Sequence, residues 1–391
     1  MGTGKTKVTI DNWCYLYEKG EINGVIVVAN KGVYLNWMNE IPIHHWDLPY
    51  SMAFYSSTLK VKERNALKEL MLTKGGLPIL LINTESLATA KGLDCALSFT
   101  VGRTVMCVVD ESTSIKTHKS KRTKGCMKLG KACKYRRILT GTPITQSPLD
   151  LFSQFEFLSK GSVGFSSFFA FKHFYAEQRT MTLGNRSFQQ ITGYKNLDQL
   201  TQKIAPISYR VMKKECLDLP EKIYMTRECP ISKEQKDMYE TLRTESLLLL
   251  SGGLLTSNNA LTTLLKLHQI TCGHVRDDFG NVTEIPNNRL NVLSEIIEQT
   301  DEDSKIIIWC NFQRDVEMIH KHLGKESVTY YGPNSVEERL HSLSRFKEDP
   351  KCRFFIGTPN CGGKGLTLNQ ANYVIYYSNS FKLEDRLQSE D

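Results

Sequence analysis

Val105-Met106-Cys107-Val108-Val109-Asp110-Glu111-Ser112-Thr113 decides the fold class. Five apolar residues without alternation are the pattern of a strand buried on both faces, since a strand with one wet face would alternate polar and apolar. The run ends on two carboxylates and two hydroxyls, and the carboxyl ends of strands are where open α/β sheets bind ligands. Similar runs flank it: Val25 to Ala29, Ile79 to Ile82, Ile306 to Trp309, Phe354 to Ile356 and Val374 to Tyr377. Helix-length amphipathic stretches separate them, so the reading is α/β with parallel sheets. The runs cluster before residue 145 and after residue 300. Between them Leu261, Leu264, Leu265, His268 and Ile270 carry helical periodicity, which predicts two α/β lobes joined by a helical middle.

Upstream, Gly2-Thr3-Gly4-Lys5-Thr6 reads as the end of a phosphate-binding loop that opens a helix. Glycines let backbone N–H groups face phosphates, and the helix N-terminus adds partial positive charge. Lys5 would reach the β- and γ-phosphates of ATP, and Thr6 would ligate Mg²⁺. Asp110 would hold the Mg²⁺ shell while Glu111 orients and deprotonates the attacking water. Leu139-Thr140-Gly141-Thr142-Pro143 also follows a short apolar strand. Thr140, Gly141 and Thr142 are therefore candidates to bond the acidic pair and couple nucleotide state to the second lobe.

The set GTGKT, VVDEST and LTGTP, followed by Ser153-Gln154-Phe155, resembles the Swi/Snf family of superfamily-two helicase-like ATPases. Tyr209 to Glu215 with Leu219-Pro220-Glu221-Lys222 looks like that family's basic brace. Leu264 to Cys272 looks like its KLRQIC-type helix, and Lys305 to Trp309 is similar to its motif IV. Gly332, Arg339 and Phe346 match the spacing of the next element, and Gly362 to Leu368 matches motif V. The resemblance implies two RecA-like P-loop NTPase lobes, with ATP in the cleft between them and a double-stranded DNA track across both. It divides the chain into a nucleotide-binding lobe at 1–155, a helical insertion and brace at 156–285, and a second lobe at 286–391. It places DNA contacts at Asn30, Lys31 and Gly32, at Thr84 and Glu85, and at Thr358 and Lys364. Gly363 and Gly365 would contact ATP, and Gln388 would couple, in a segment from Glu384 that looks like the opening of motif VI. Two departures stand out: Asn30-Lys31 replaces the family's usual proline, and the acidic box reads DEST rather than DEAH or DEGH, which leaves both carboxylates intact.

By the same resemblance, the first glycine of the phosphate loop and its feeder strand precede Met1, and the arginine fingers follow Asp391. Such a finger contributes about 10³ to 10⁵ in rate, so slow hydrolysis is expected of the chain alone. Two rival readings are a nucleotide-gated nucleic-acid-binding module without efficient hydrolysis, and the translocase subunit of a restriction system or an RNA-directed helicase.

Composition fits a soluble globular protein of two or three domains: 391 residues, 40% hydrophobic and 24% charged. Net charge is +8, a mild bias toward polyanions. From Thr113 to Arg137 there are ten basic residues and no acidic one. Eleven scattered cysteines form no zinc-binding spacing, so reduced thiols, no zinc and a cytoplasmic, nucleic-acid-associated protein are expected. No apolar run is long enough to cross a membrane.

Overall fold

The computed structural model describes every residue except 1, 31–32, 184–185, 217, 219, 252–256, 363–365, 367 and 391. The chain separates into two compact units, Met1–Leu219 and Pro220–Asp391.

In the first unit, helix α1 (Lys5–Glu18) leads into β1 (Gly24–Ala29), followed by α2 (Val33–His44), β2 (Tyr50–Tyr55), α3 (Val61–Leu72) and β3 (Leu77–Asn83). Then come α4 (Ala90–Thr100), β4 (Val105–Asp110), α5 (Lys121–Lys131) and β5 (Tyr135–Leu139). The sheet runs β2-β3-β1-β4-β5, and every pairing is parallel. Successive residues of β1 serve opposite cores, as the two-residue period of a strand requires. Val25 and Val27 pack with Trp13, Trp37 and Ile41 of α1 and α2. Ile26 and Val28 pack with Leu70, Phe99 and Leu129 of α3, α4 and α5. Each such aliphatic side chain, fully buried, stabilises the fold by about 1.5–3 kcal/mol, which is why the central strands read as unbroken apolar runs.

Beyond β5 the chain forms α6 (Leu151–Leu158), α7 (Phe168–Tyr175), an antiparallel ribbon of β6 (Ala176–Leu183) and β7 (Arg186–Tyr194), α8 (Leu197–Ile204) and α9 (Lys213–Cys216). The ribbon lies inside the stretch expected to be helical. Its polar sequence, AEQRTMTL and RSFQQITGY, carries neither an apolar run nor a helical stripe.

The second unit begins with α10 (Lys233–Ser251), α11 (Ser257–Thr271) and a small hairpin of β8 (His274–Arg276) and β9 (Val282–Glu284). The periodic residues of the middle do form α11, yet Leu261, Leu264 and Leu265 are exposed and only Ile270 is buried. Next come α12 (Arg289–Glu298), β10 (Lys305–Trp309), α13 (Gln313–Leu323), β11 (Ser327–Tyr330), α14 (Val336–Glu348), β12 (Phe354–Gly357), α15 (Pro359–Gly362), β13 (Ala371–Tyr376) and α16 (Leu383–Ser389). The sheet runs β11-β12-β10-β13, again wholly parallel. Ile306 and Ile308 face one core, and Ile307 and Trp309 the other.

A buried acid and a buried base meet beneath β10. Asp315 on α13 is fully buried, accepts from Ser378 Oγ at 2.6 Å, and lies 3.4 Å from His274 Nδ1. Burial pushes the Asp315 carboxyl up to about 6. Burial and then the Arg314 charge push His274 down to about 4. The two groups oppose each other in pH dependence. Between pH 6 and 4 the folded state binds one extra proton at Asp315, while the unfolded state binds one extra at His274. The wild-type contributions therefore cancel. In Asp315→Asn only the histidine remains, and folding stability should fall by about 1.4 kcal/mol per pH unit from pH 6.5 to 4. In His274→Gln it should instead rise as pH drops through 6. Urea melts over this range check both slopes, and two parallel profiles would contradict the assignment.

Candidate nucleotide-binding site

Helix α1 is anchored at its far end. Glu21, just beyond it, accepts from Lys134 Nζ at 2.5 Å and Tyr135 Oη at 2.8 Å, at the start of β5. Asn23 N donates to Thr104 O at 2.9 Å, ahead of β4. The helix thus starts its return from the amino-terminal edge of the sheet, and 14 residues at 1.5 Å each carry it about 21 Å, roughly the length of the strands. Its N-terminus arrives at the carboxyl edge. There Gly4 is the N-cap, at a left-handed φ of 79°, and no side chain caps the first turn. Gly2 is left-handed too, at 71°. A glycine-built turn with uncapped helix donors is an anion cradle. Lys5 and Thr6 are half-buried beside it, and Lys213 of the basic brace lies against Gly2.

Asp110 ends β4 at the same edge. Its Oδ2 accepts from Trp37 Nε1 at 2.9 Å and its Oδ1 from the Glu111 N–H at 2.9 Å. Burial raises its pKa. Trp37, the Glu111 N–H and the Lys5 ammonium act in the opposite direction, in that order. Lys5 therefore stands within electrostatic reach of Asp110, although 105 positions separate them. Glu111 is buried and held at φ 49°. A left-handed conformation costs a non-glycine residue about 1–2 kcal/mol, and strain of this kind concentrates at functional sites.

Two ties join the acidic loop to the segment that follows Thr142. Ser112 Oγ donates to Gln154 Oε1 at 2.6 Å, and Gln154 Nε2 donates to Pro143 O at 2.8 Å and Asp150 O at 2.9 Å. Lys116 bonds Thr145, whose N–H and hydroxyl both donate to Asp150 Oδ2, at 3.0 and 2.9 Å. Thr140 Oγ1 accepts from the Thr142 N–H at 3.1 Å and braces its own turn, whereas the buried Thr142 hydroxyl has no partner among the described residues. Gln154 and Trp37 are contributors that the sequence reading did not assign to the site. Gln154 stood beside a recognised motif, whereas a tryptophan in an amphipathic helix reads as core.

The remaining candidates are placed as follows. Asn30 follows β1 at the carboxyl edge and is half-buried. Thr84 is fully buried, and its N–H and hydroxyl donate to Ala29 O at 3.0 and 3.3 Å. Thr358 is buried after β12, and its carbonyl accepts from the Cys361 and Gly362 N–H groups at 2.9 Å each. Gln388 is buried on α16, which docks through Ser389 O to Trp309 Nε1 at 3.3 Å. Lys31, Gly32, Gly363, Lys364 and Gly365 lie outside the described residues. The basic stretch divides in two. Lys116, Lys119, Arg122, Lys134, Arg136 and Arg137 have partners within the protein, Lys119 over the Phe169 ring. Lys121, Lys124, Lys128 and Lys131 form an exposed stripe along α5, whose opposite face is buried. Among the described residues no cluster of three or more His, Cys, Asp or Glu could hold a metal, and no helix is long and apolar enough to cross a membrane.

A profile of the SNF2-related domain matches residues 1–275, and one of the helicase conserved C-terminal domain matches residues 288–391. The chain belongs to the SNF2-related family. It is 26% identical to the human TATA-binding protein-associated factor 172 over 341 residues, covering 73% of this chain and 18% of that protein. It is 26% identical to the probable ATP-dependent DNA helicase CHR12 of Arabidopsis thaliana over 407 residues, covering 100% of this chain and 36% of that one. The chain thus spans well under two thirds of these relatives. The SWI2/SNF2 ATPase core of Sulfolobus solfataricus in complex with dsDNA is 26% identical, with 97% of this chain and 76% of that chain covered and a TM-score of 0.42.

Removing the Trp37 donor by Trp37→Phe should raise the Asp110 pKa further. A hydrogen bond to a carboxylate favours its charged form, so losing it acts in the same direction as burial. The acid limb of the Asp110 titration, followed by the carbon-13 shift of its carboxyl between pH 5 and 8, should move up. An unmoved limb would show that Trp37 does not tune the carboxylate. Gln154→Leu leaves the Ser112 hydroxyl and Pro143 carbonyl without their partner, and should lower folding stability in urea melts by about 1–3 kcal/mol.

Proposed function

We propose that this chain is the motor core of a DNA-dependent ATPase that uses ATP and Mg²⁺ to translocate along double-stranded DNA. The observation that carries the reading is the meeting, at the carboxyl edge of the first sheet, of Lys5 on an uncapped helix start with the buried Asp110–Glu111 pair. In this reading Gly2, Thr3, Gly4, Lys5 and Thr6 bind the phosphates, and Gly363 and Gly365 contribute from the second lobe. Thr6 and Asp110 would hold Mg²⁺, which when bound offsets phosphate charge. A site with one or two protein ligands suits an ion that keeps waters and phosphate oxygens in its shell, and the donors present fit that demand. Glu111 accepts the proton of the attacking water. Its backbone is left-handed, one residue past the end of β4.

The Thr140–Thr142 loop and Gln388 are assigned to coupling, and Asn30, Lys31, Thr84, Thr358 and Lys364 to DNA. The proposed division remains 1–155, 156–285 and 286–391. The name of a relative, probable ATP-dependent DNA helicase, supports both ATP and DNA as ligands. The exposed lysine stripe of α5 supports a polyanion beside the first lobe. The protein is assigned to the cytoplasm in association with nucleic acid.

Steady-state ATPase with and without duplex DNA tests the proposal. DNA should stimulate turnover, and Glu111→Gln should lower it by about 10² to 10⁴, the usual contribution of a general base, while leaving ATP affinity within a few-fold. Turnover indifferent to DNA would contradict the motor. Tight, DNA-linked nucleotide binding without any turnover would favour a nucleotide-gated binding module.

A further inference from the structure

The β6–β7 ribbon belongs to neither the five-stranded sheet nor the site of the first unit. Eight residues at about 3.3 Å each make β6 roughly 26 Å long. Arg179, Thr180, Met181, Thr182, Phe188, Gln189 and Gln190 are exposed. A lone two-stranded ribbon is marginal in water, so a solvent-exposed one is well suited to a partner that completes its burial. Its two faces differ. On one, Gln189 Nε2 donates to Thr180 Oγ1 at 2.9 Å and Thr182 Oγ1 bonds Ser187 Oγ at 3.2 Å, so these groups satisfy one another across the strands. On the other, Met181 is paired directly opposite Phe188 and Arg179 opposite Gln190, which sets an exposed apolar pair beside a cation and an amide. Arg179 has no acidic partner among the described residues. From Gln178 to Lys195 the sequence has no acidic residue and three basic ones, Arg179, Arg186 and Lys195.

The root of the ribbon is firm. Lys195 N donates to Tyr175 O at 3.0 Å, Asn196 Nδ2 donates to Phe174 O at 3.0 Å, and Tyr175 and Ala176 are buried in an aromatic core. That core joins the basic segment. His118 stacks on Phe168 of α7 with ring centroids 3.9 Å apart, and Lys119 Nζ lies 5.5 Å over Phe169. A polyanion lying on the lysines that follow Thr113 would therefore pass the base of the ribbon.

We propose that the β6–β7 ribbon is a duplex-DNA contact that lies in the major groove, with its Arg179–Met181–Phe188–Gln190 face toward the DNA. The proposal rests on the DNA-motor reading and adds a contact outside the motifs. The dimensions agree, because the major groove of B-form DNA admits a two-stranded β-ribbon. So does the chemistry. Met181 and Phe188 can cover thymine methyl groups, Gln190 can bond a base edge, and Arg179 can reach a phosphate. A second copy of this chain adding a strand to an open edge of the ribbon is the competing occupant. Uniform positive charge on both partners opposes it.

The test uses the full chain, a fluorescent duplex and salt titration. Arg179→Ala with Phe188→Ala should weaken duplex binding roughly tenfold and reduce the salt slope by about one, the signature of one lost phosphate contact. Affinity for a fluorescent ATP analogue should stay unchanged. Benzoylphenylalanine in place of Phe188 should cross-link to the duplex under ultraviolet light. Wild-type affinity and slope in the double variant, or cross-links to a second copy of the chain, would overturn the ribbon contact while leaving the motor reading intact. A wild-type chain that ignores duplex DNA altogether would overturn both.

Discussion

A carboxylate at the end of a buried strand is the constraint around which the first unit is arranged. Asp110 sits where desolvation disfavours its charge, and three groups hold the charged form against that cost: the Trp37 indole, the Glu111 N–H and the Lys5 ammonium. Each comes from a different part of the chain. Trp37 requires α2 to lie on the sheet face under α1, and Lys5 requires α1 to return to the carboxyl edge. The anchoring of Glu21 by Lys134 and Tyr135 sets where that return begins. The core of aliphatic strands and paired tryptophans is thus also the scaffold that aims the charges.

The strain at Glu111 and the bond network around Gln154 extend the same logic. A left-handed glutamate is tolerated because Asp110 receives its N–H and Ser114 N donates to its carbonyl at 2.9 Å. Gln154, fully buried on α6, then ties the hydroxyl next to that glutamate to the carbonyl of Pro143. The acidic loop and the neighbouring loop are thus joined through two hydrogen bonds rather than through solvent. Such a connection suits a site that must register what is bound to it.

Where the sequence was legible, physics made it so. Strands buried on both faces are long apolar runs, and Val25 to Ala29, Val105 to Val109 and Ile306 to Trp309 fell where they were expected. The glycine-lysine turn and the acidic pair were legible because their residue types are tied to phosphate and metal chemistry. Two of the edge strands were harder. Tyr50–Tyr55 and Ser327–Tyr330 carry hydroxyl-bearing residues among the apolar, and each pairs with a single neighbour. The ribbon escaped notice because both its faces are open to solvent, so no hydrophobic period marks it. Trp37 escaped because its bond to Asp110 spans 73 positions, a distance that no local pattern encodes. The periodicity of Leu261, Leu264 and Leu265 did mark a helix, but those side chains are exposed, so period alone did not give burial.

The central claim is that a triphosphate and its divalent ion sit between Lys5 and Asp110. Electron–nuclear double resonance on the chain loaded with Mn²⁺ and a non-hydrolysable ATP analogue tests it most directly. The account predicts phosphorus coupling to a protein-bound ion, lost in Asp110→Asn and weakened when Lys5→Ala loosens the nucleotide. The same bound, phosphorus-coupled ion in Asp110→Asn would contradict it.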